Sequence, residues 1–394
     1  MEVQIADWLS LIVRWLHIIF GAAWIGTSFY FNWLNNQVRP VESGPTPEGV
    51  EGELWSVHGG KFYQVVKYQV APPRLPKTLH WFKYEAYFTW ISGFALLAIV
   101  YYLEPSAYLI DPQVQALHPH VAISIGVGTL IVGWTGYHYL CKSPLARWPV
   151  VFAVLGFALL TGIAFGLTQV FGSRAAYIHV GALIGTMMAW NVFFVIIPNQ
   201  KKTVAVMEKG EAPDPSLGKA GAQRSLHNNY LTLPVLFIMV SNHYPMTFGH
   251  EWNWAILAAI ALIGAGVRHW FNLQGQGQKN VWILPAAAVA MVALALVSAP
   301  RTQAYEGEVS FAMVRDIVER RCVECHSAEP TSELFVVAPQ GVMFDDPQEI
   351  HDRAARIYNQ VVVTEQMPLS NLTGITDEER AILGAWYRRG ASMD

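Results

Sequence analysis

Charge is scarce in this chain: Asp, Glu, Lys and Arg make up 14% of it, against 53% hydrophobic residues. Apolar runs approaching bilayer length exclude a wholly soluble protein. Cysteine is scarcer still, at three. Cys141 is stranded in an apolar segment, so only Cys322 and Cys325 lie together, too few for the four ligands of a structural zinc site. No basic residue precedes the first apolar run and no small-residue cleavage site follows it. That run therefore reads as a retained helix and not as a removed leader.

The charges are also unevenly placed. Residues 1–300 hold 17 Lys and Arg against 13 Asp and Glu, whereas residues 301–394 hold 9 against 16 and no lysine. The near-neutral total of −3 conceals a weakly basic apolar part and an acidic soluble one. No nucleic-acid partner is expected. An acidic tail can steer toward a small basic redox protein, and a solvated acidic surface without a partner explains it equally well.

Apolar stretches of about 20 residues mark eight helices, near 8–33, 84–104, 119–140, 148–170, 175–198, 229–247, 252–272 and 281–299. The connections after the first, third, fifth and seventh carry 6, 2, 5 and 2 basic residues with Arg268 included; those after the second, fourth and sixth carry 0, 1 and 0. Positive residues stay inside, so both termini are expected to face outward, into the periplasm of a bacterial inner membrane. The cytoplasmic connection 35–83 is long enough to be a lid or binding segment.

Cys322-Val323-Glu324-Cys325-His326 has the pattern by which a c-type haem is attached: two thiols add to the porphyrin vinyl groups and the adjacent histidine reaches the iron. Phe311, Val314, Ile317 and Val318 recur at helical spacing ahead of it. Thr376 and Glu379 predict a capping box, with Ile382, Leu383 and Trp386 forming the apolar stripe of a closing helix. Between the helices, Met367 in Gln366-Met367-Pro368-Leu369 is the candidate second axial ligand, with Met343 as its competitor. The fold expected is all-α: an eight-helix transmembrane bundle over 1–300, then a small class I-like cytochrome c domain over 301–394.

Imidazole and guanidinium groups inside a bilayer demand a partner, a cavity or a function. Arg14, His17, His179 and His243 fall toward the outer half. Tyr137, His138, the run His227-Asn228-Asn229-Tyr230, and Arg268-His269 fall toward the inner half. A pair such as His17 with His179 or His243 could hold a b-type haem, or the histidines could be interhelical glue. The inner group could hold a planar anion, or could snorkel to the interface.

The run His227-Asn228-Asn229-Tyr230-Leu231-Thr232-Leu233-Pro234, the later Ser241-Asn242-His243, and the tail from Cys322 through Met367-Pro368-Leu369 to Trp386 resemble the bacterial membrane-anchored, cytochrome-c-linked urate oxidases over the whole length. The resemblance implies oxidation of urate to 5-hydroxyisourate with water as the oxygen source. Electrons would pass to the chain's own haem c and on to a soluble cytochrome c or another respiratory-chain acceptor. Such chemistry needs cationic or donor groups and a base tuned near neutral pH. His227, Asn229, Arg268 and His269 could supply these from the inner face, and Arg14, His17, His179 and His243 from the outer. Tunnelling decays exponentially with distance, so an inner site requires a relay such as a haem b, or else the substrate pocket reaches the outer half.

Overall fold

The computed structural model describes residues 2–42, 45–299, 305–332 and 334–393. Eight principal helices form the N-terminal body: α1 (Glu2–Gln37), α2 (Tyr84–Leu97), α3 (Pro119–Lys142), α4 (Pro149–Thr168), α5 (Ser173–Asn191), α6 (Pro215–Ser241), α7 (Asn253–Gly275) and α8 (Ile283–Val297). The chain is mostly helical, as expected, and among the described residues six stretches are long and apolar enough to cross a membrane: Trp8–Gln37, Tyr84–Tyr102, Pro119–Lys142, Pro149–Thr168, Ser173–Glu208 and Asn253–Gly275. Two expected spans do not qualify. Helix α8 has only 15 residues, and α6 carries Arg224, His227, Asn228 and Asn229 along its length.

Two helix boundaries depart from the apolar runs. Asp214 caps α6 by accepting the Ser216 N–H at 2.8 Å, with Pro215 at the first helical position. This start precedes the expected one because the polar run packs against neighbouring helices instead of leaving the bundle. Helix α5 continues through a π-helical segment, Val192–Ile196, into the helix Ile197–Glu208. Helix α2 likewise runs into a π-helical segment, Ala98–Tyr102.

The connection 35–83 is not all loop, so the chain is not strictly all-α. Strands β1 (Val50–His58) and β2 (Lys61–Tyr68) pair antiparallel, with Val57 opposite Phe62 and Ser56 opposite Tyr63. Gly59 and Gly60 both have positive φ, 58° and 75°, the two-residue turn whose twist suits a hairpin.

Among the described residues the two larger hydrophobic cores are separate. One joins α3, α4, α5 and α6 around Tyr177, Leu183, Met188 and Ile238. The other lies in the C-terminal segment 305–393, hereafter the tail, where α9 (Phe311–Arg321) crosses α10 (Asp377–Arg388). The four apolar residues of α9 named above are all buried, and Phe311 lies 5.9 Å from the Trp386 ring. Thr376 Oγ1 accepts the Glu379 N–H at 3.2 Å while Glu379 Oε2 accepts the Thr376 N–H at 2.8 Å, which is the expected capping box.

Candidate functional site

A cavity of about 980 Å³ lies where the tail meets one end of the helical body. From the tail it is lined by Cys322, Cys325, His326 and Met367; from the body, by Tyr108, Asp111, Arg174 and Asn242. Arg174 sits in the first turn of α5 and donates from Nε to Asn242 Oδ1 at 3.0 Å, which ties α5 to the end of α6. Gly249 Cα sits so close to the tail that an added Cβ would lie 3.4 Å from Thr364 O.

The tail residues suit a thioether-bound iron porphyrin. Both thiols are free of disulfide and face one cavity. Burial pushes the Cys322 thiol up to about 12, so it stays an uncharged thiol. His326 Nδ1 can only donate to the Val342 carbonyl, at 2.9 Å, which leaves Nε2 as the unprotonated nitrogen that a metal requires. Met367 shares the cavity with them, while Met343 is not part of its lining. The Met367 segment is pinned at its backbone: Met367 N–H donates to Gln360 O at 3.0 Å and Arg380 Nη1 donates to Met367 O at 3.0 Å and to Val361 O. Among the described residues no group of three or more His, Cys, Asp or Glu side chains could hold a bare metal ion.

The remaining sequence candidates fall into separate places. His179 is fully buried with both ring nitrogens engaged: Nδ1 donates to Ala175 O at 2.8 Å, and Nε2 accepts from the Tyr102 hydroxyl at 3.0 Å. His17 Nδ1 donates to Thr89 O, with Ser92 Oγ also at 3.1 Å. Each imidazole packs against a glycine. A Cβ on Gly93 would come within 2.9 Å of His17, and one on Gly126 within 2.7 Å of His179. His243 lies exposed beyond the end of α6, and Arg14 is exposed on α1. Among the described residues no hydrogen bond joins His17, His179 and His243 to one another.

At the far end of the body, the four inner candidates occupy three positions. His227 joins a buried network: its Nδ1 is 2.9 Å from the Tyr137 hydroxyl, which accepts from Asn191 Nδ2 at 3.0 Å. Asn191 also donates to Asn228 Oδ1 at 2.9 Å, and Arg224 donates to Asn191 Oδ1 at 3.3 Å and to His138 O at 3.2 Å. Asn229 faces the other way, toward α7, where it accepts from Asn272 Nδ2 at 2.9 Å. Arg268 lies one turn before Asn272 with its guanidinium 4.3 Å over the Phe29 ring. His269 is exposed, with Nδ1 2.7 Å from the Tyr230 hydroxyl.

Residues 3–299 match the family described as urate oxidase, N-terminal. The chain belongs to that family. No curated protein matches the chain, and no solved structure does. The family match ends at the last helix of the body, so the tail lies outside it.

The structure also brings forward groups the sequence did not single out. Arg174 was visible only as one basic residue in a short connection. Asn191, an amide inside the apolar run Trp190-Asn191-Val192-Phe193, was a signal that an intramembrane polar group needs partners. Arg224 escaped because its helix starts well before the apolar run does.

Proposed function

We propose that this protein is a membrane-bound urate oxidase, with its tail a periplasmic monohaem cytochrome c domain at the bacterial inner membrane. Urate and water become 5-hydroxyisourate, with two protons and two electrons released. A haem c held by Cys322, Cys325, His326 and Met367 would supply a one-electron acceptor, reduced and reoxidised twice per urate as a soluble cytochrome c or another respiratory-chain component takes the electrons onward.

The observation that carries this reading is the shared cavity. A body belonging to the urate oxidase family and a tail with a haem-attachment set line the same 980 Å³ space. Arg174 and Asn242 offer a cation and an amide to the urate anion there. Tyr108 and Asp111 border the same space, where Asp111 is the body-side carboxylate that could receive a substrate proton, with Glu365 and Asp377 lining it from the tail. By contrast, Asn191 lies 17 residues along α5 from Arg174, about 25 Å away at 1.5 Å per residue. Placing oxidation at the tail end removes the need for a second haem.

The experiment is anaerobic addition of urate to the purified full-length protein while the haem alpha band is recorded. Urate should reduce it without quinol present. Reduction by quinol alone would refute the reading, because the chain would then be an electron carrier without a purine substrate.

A further inference from the structure

The far end of the body holds a buried cation that nothing neutralises. Arg268 is 7% exposed, and among the described residues it donates no hydrogen bond and pairs with no carboxylate. Its Nε is buried without an acceptor. Its guanidinium lies 4.3 Å from the centre of Phe29 and 6.0 Å from that of Phe271, and the Tyr230 phenol is near enough to act on its charge. Holding that Nε away from any acceptor costs free energy that a bound anion would recover.

A second orphan adjoins it. Asn229 is fully buried, its carbonyl takes the Asn272 amide, and its own Nδ2 donates to nothing. Asn272 links the two, since it bonds Asn229 and follows Arg268 by one helical turn. Two buried donors on either side of one amide, one of them cationic, lack the same thing: an anionic acceptor. The other polar cluster at this end does not share the deficit, because Arg224, Asn191 and Asn228 donate to one another and to backbone carbonyls.

We propose that Arg268 and Asn229, with Phe29 as a flat wall, bind an oxyanion carrying at least two acceptor oxygens in the space between α1, α6 and α7. The site is distinct from the haem-side cavity. Asn253, at the start of α7, donates to the carbonyl of Phe248, a residue lining that cavity, and Arg268 lies 15 residues further on, about 22 Å away. Two sources supply such a ligand: a urate-like planar anion from solution, or the phosphate of an anionic phospholipid in the adjoining leaflet. The site does not depend on the function proposed above.

The test compares full-length wild type with Arg268→Gln and Asn229→Asp in detergent. Equilibrium dialysis against labelled urate, with dithionite present so that none is consumed, forms one arm. Phosphorus analysis after exhaustive detergent washing forms the other. Removing one side of a buried charge-assisted pair should weaken binding about 30-fold or more. Asn229→Asp keeps the acceptor that Asn272 uses while opposing an anion, so it serves even where Arg268→Gln fails to fold. Loss of urate in both variants supports the site with a soluble ligand; loss of tightly held phosphorus supports it with a headgroup. Wild-type values in both arms overturn it. A wild type that ignores urate yet holds phosphorus that the variants lose would refute the oxidase and leave the site standing.

Discussion

Glu379→Gln should loosen the tail by about 2 kcal/mol. The carboxylate closes the junction of α9 and α10, accepting from Arg320 Nη1 at 2.9 Å, from Arg321 Nε at 3.2 Å and from its own cap N–H. Arg320 is half exposed and its charge is screened by water, so that pair adds little. Arg321 is more enclosed, and a charge-assisted bond of this kind is worth about 1.5 kcal/mol or more. Glutamine keeps one acceptor and turns an amide N–H₂ toward two guanidinium groups. Burial would raise the Glu379 carboxyl, but the Thr376 N–H and Arg321 outweigh it and hold it below the usual glutamate range. Its contribution is therefore complete above the unfolded value of about 4.3 and is lost as pH falls through the lower folded value. Hydrogen–deuterium exchange on α9 and α10 peptides of the full chain reads this directly: exchange in the variant should be about 30-fold faster at pH 7, with the gap closing below about pH 4. Equal exchange at pH 7, or a gap that persists unchanged to pH 3, would refute the reasoning.

Three further outcomes are expected. Arg174→Gln should raise the urate concentration for half-maximal haem reduction about tenfold or more, with dithionite reduction unchanged, because a cation lining the shared cavity is lost; an unaltered titration would remove Arg174 from the substrate's surroundings. Met367→Ala should lower the haem midpoint potential in a redox titration, since a thioether ligand raises it; an unchanged potential would point to Met343. Gly126→Ala should cost about 1–3 kcal/mol, because its Cβ would press on His179 and Tyr102, which a denaturation midpoint in detergent measures.

Much of the fold was legible because apolar runs and caps are local signals. The capping box at Thr376 and the apolar stripe of α9 needed only their own neighbours, and both stand where the spacing placed them. The start of α6 did not, because an apolar-run criterion stops at Arg224 and Asn228, whose partners lie on α3 and α5. The hairpin carried a readable signal, Gly59-Gly60 between two runs rich in β-branched and aromatic residues, which the polar and proline content around it obscured. At the site, Cys322, Cys325, His326 and Met367 were found by motif and do line one cavity. His227 and His269 share a depth with Asn229 and Arg268 but not their direction, because direction around a helix axis depends on which neighbour each side packs against.

The position of the two thiols bears on the protein's assembly. Cys322 and Cys325 look into a space that the body's own helix ends also border. On the proposed haem attachment, a porphyrin joined to both thiols would fill that space, so loading the tail would change what Arg174 and Tyr108 face.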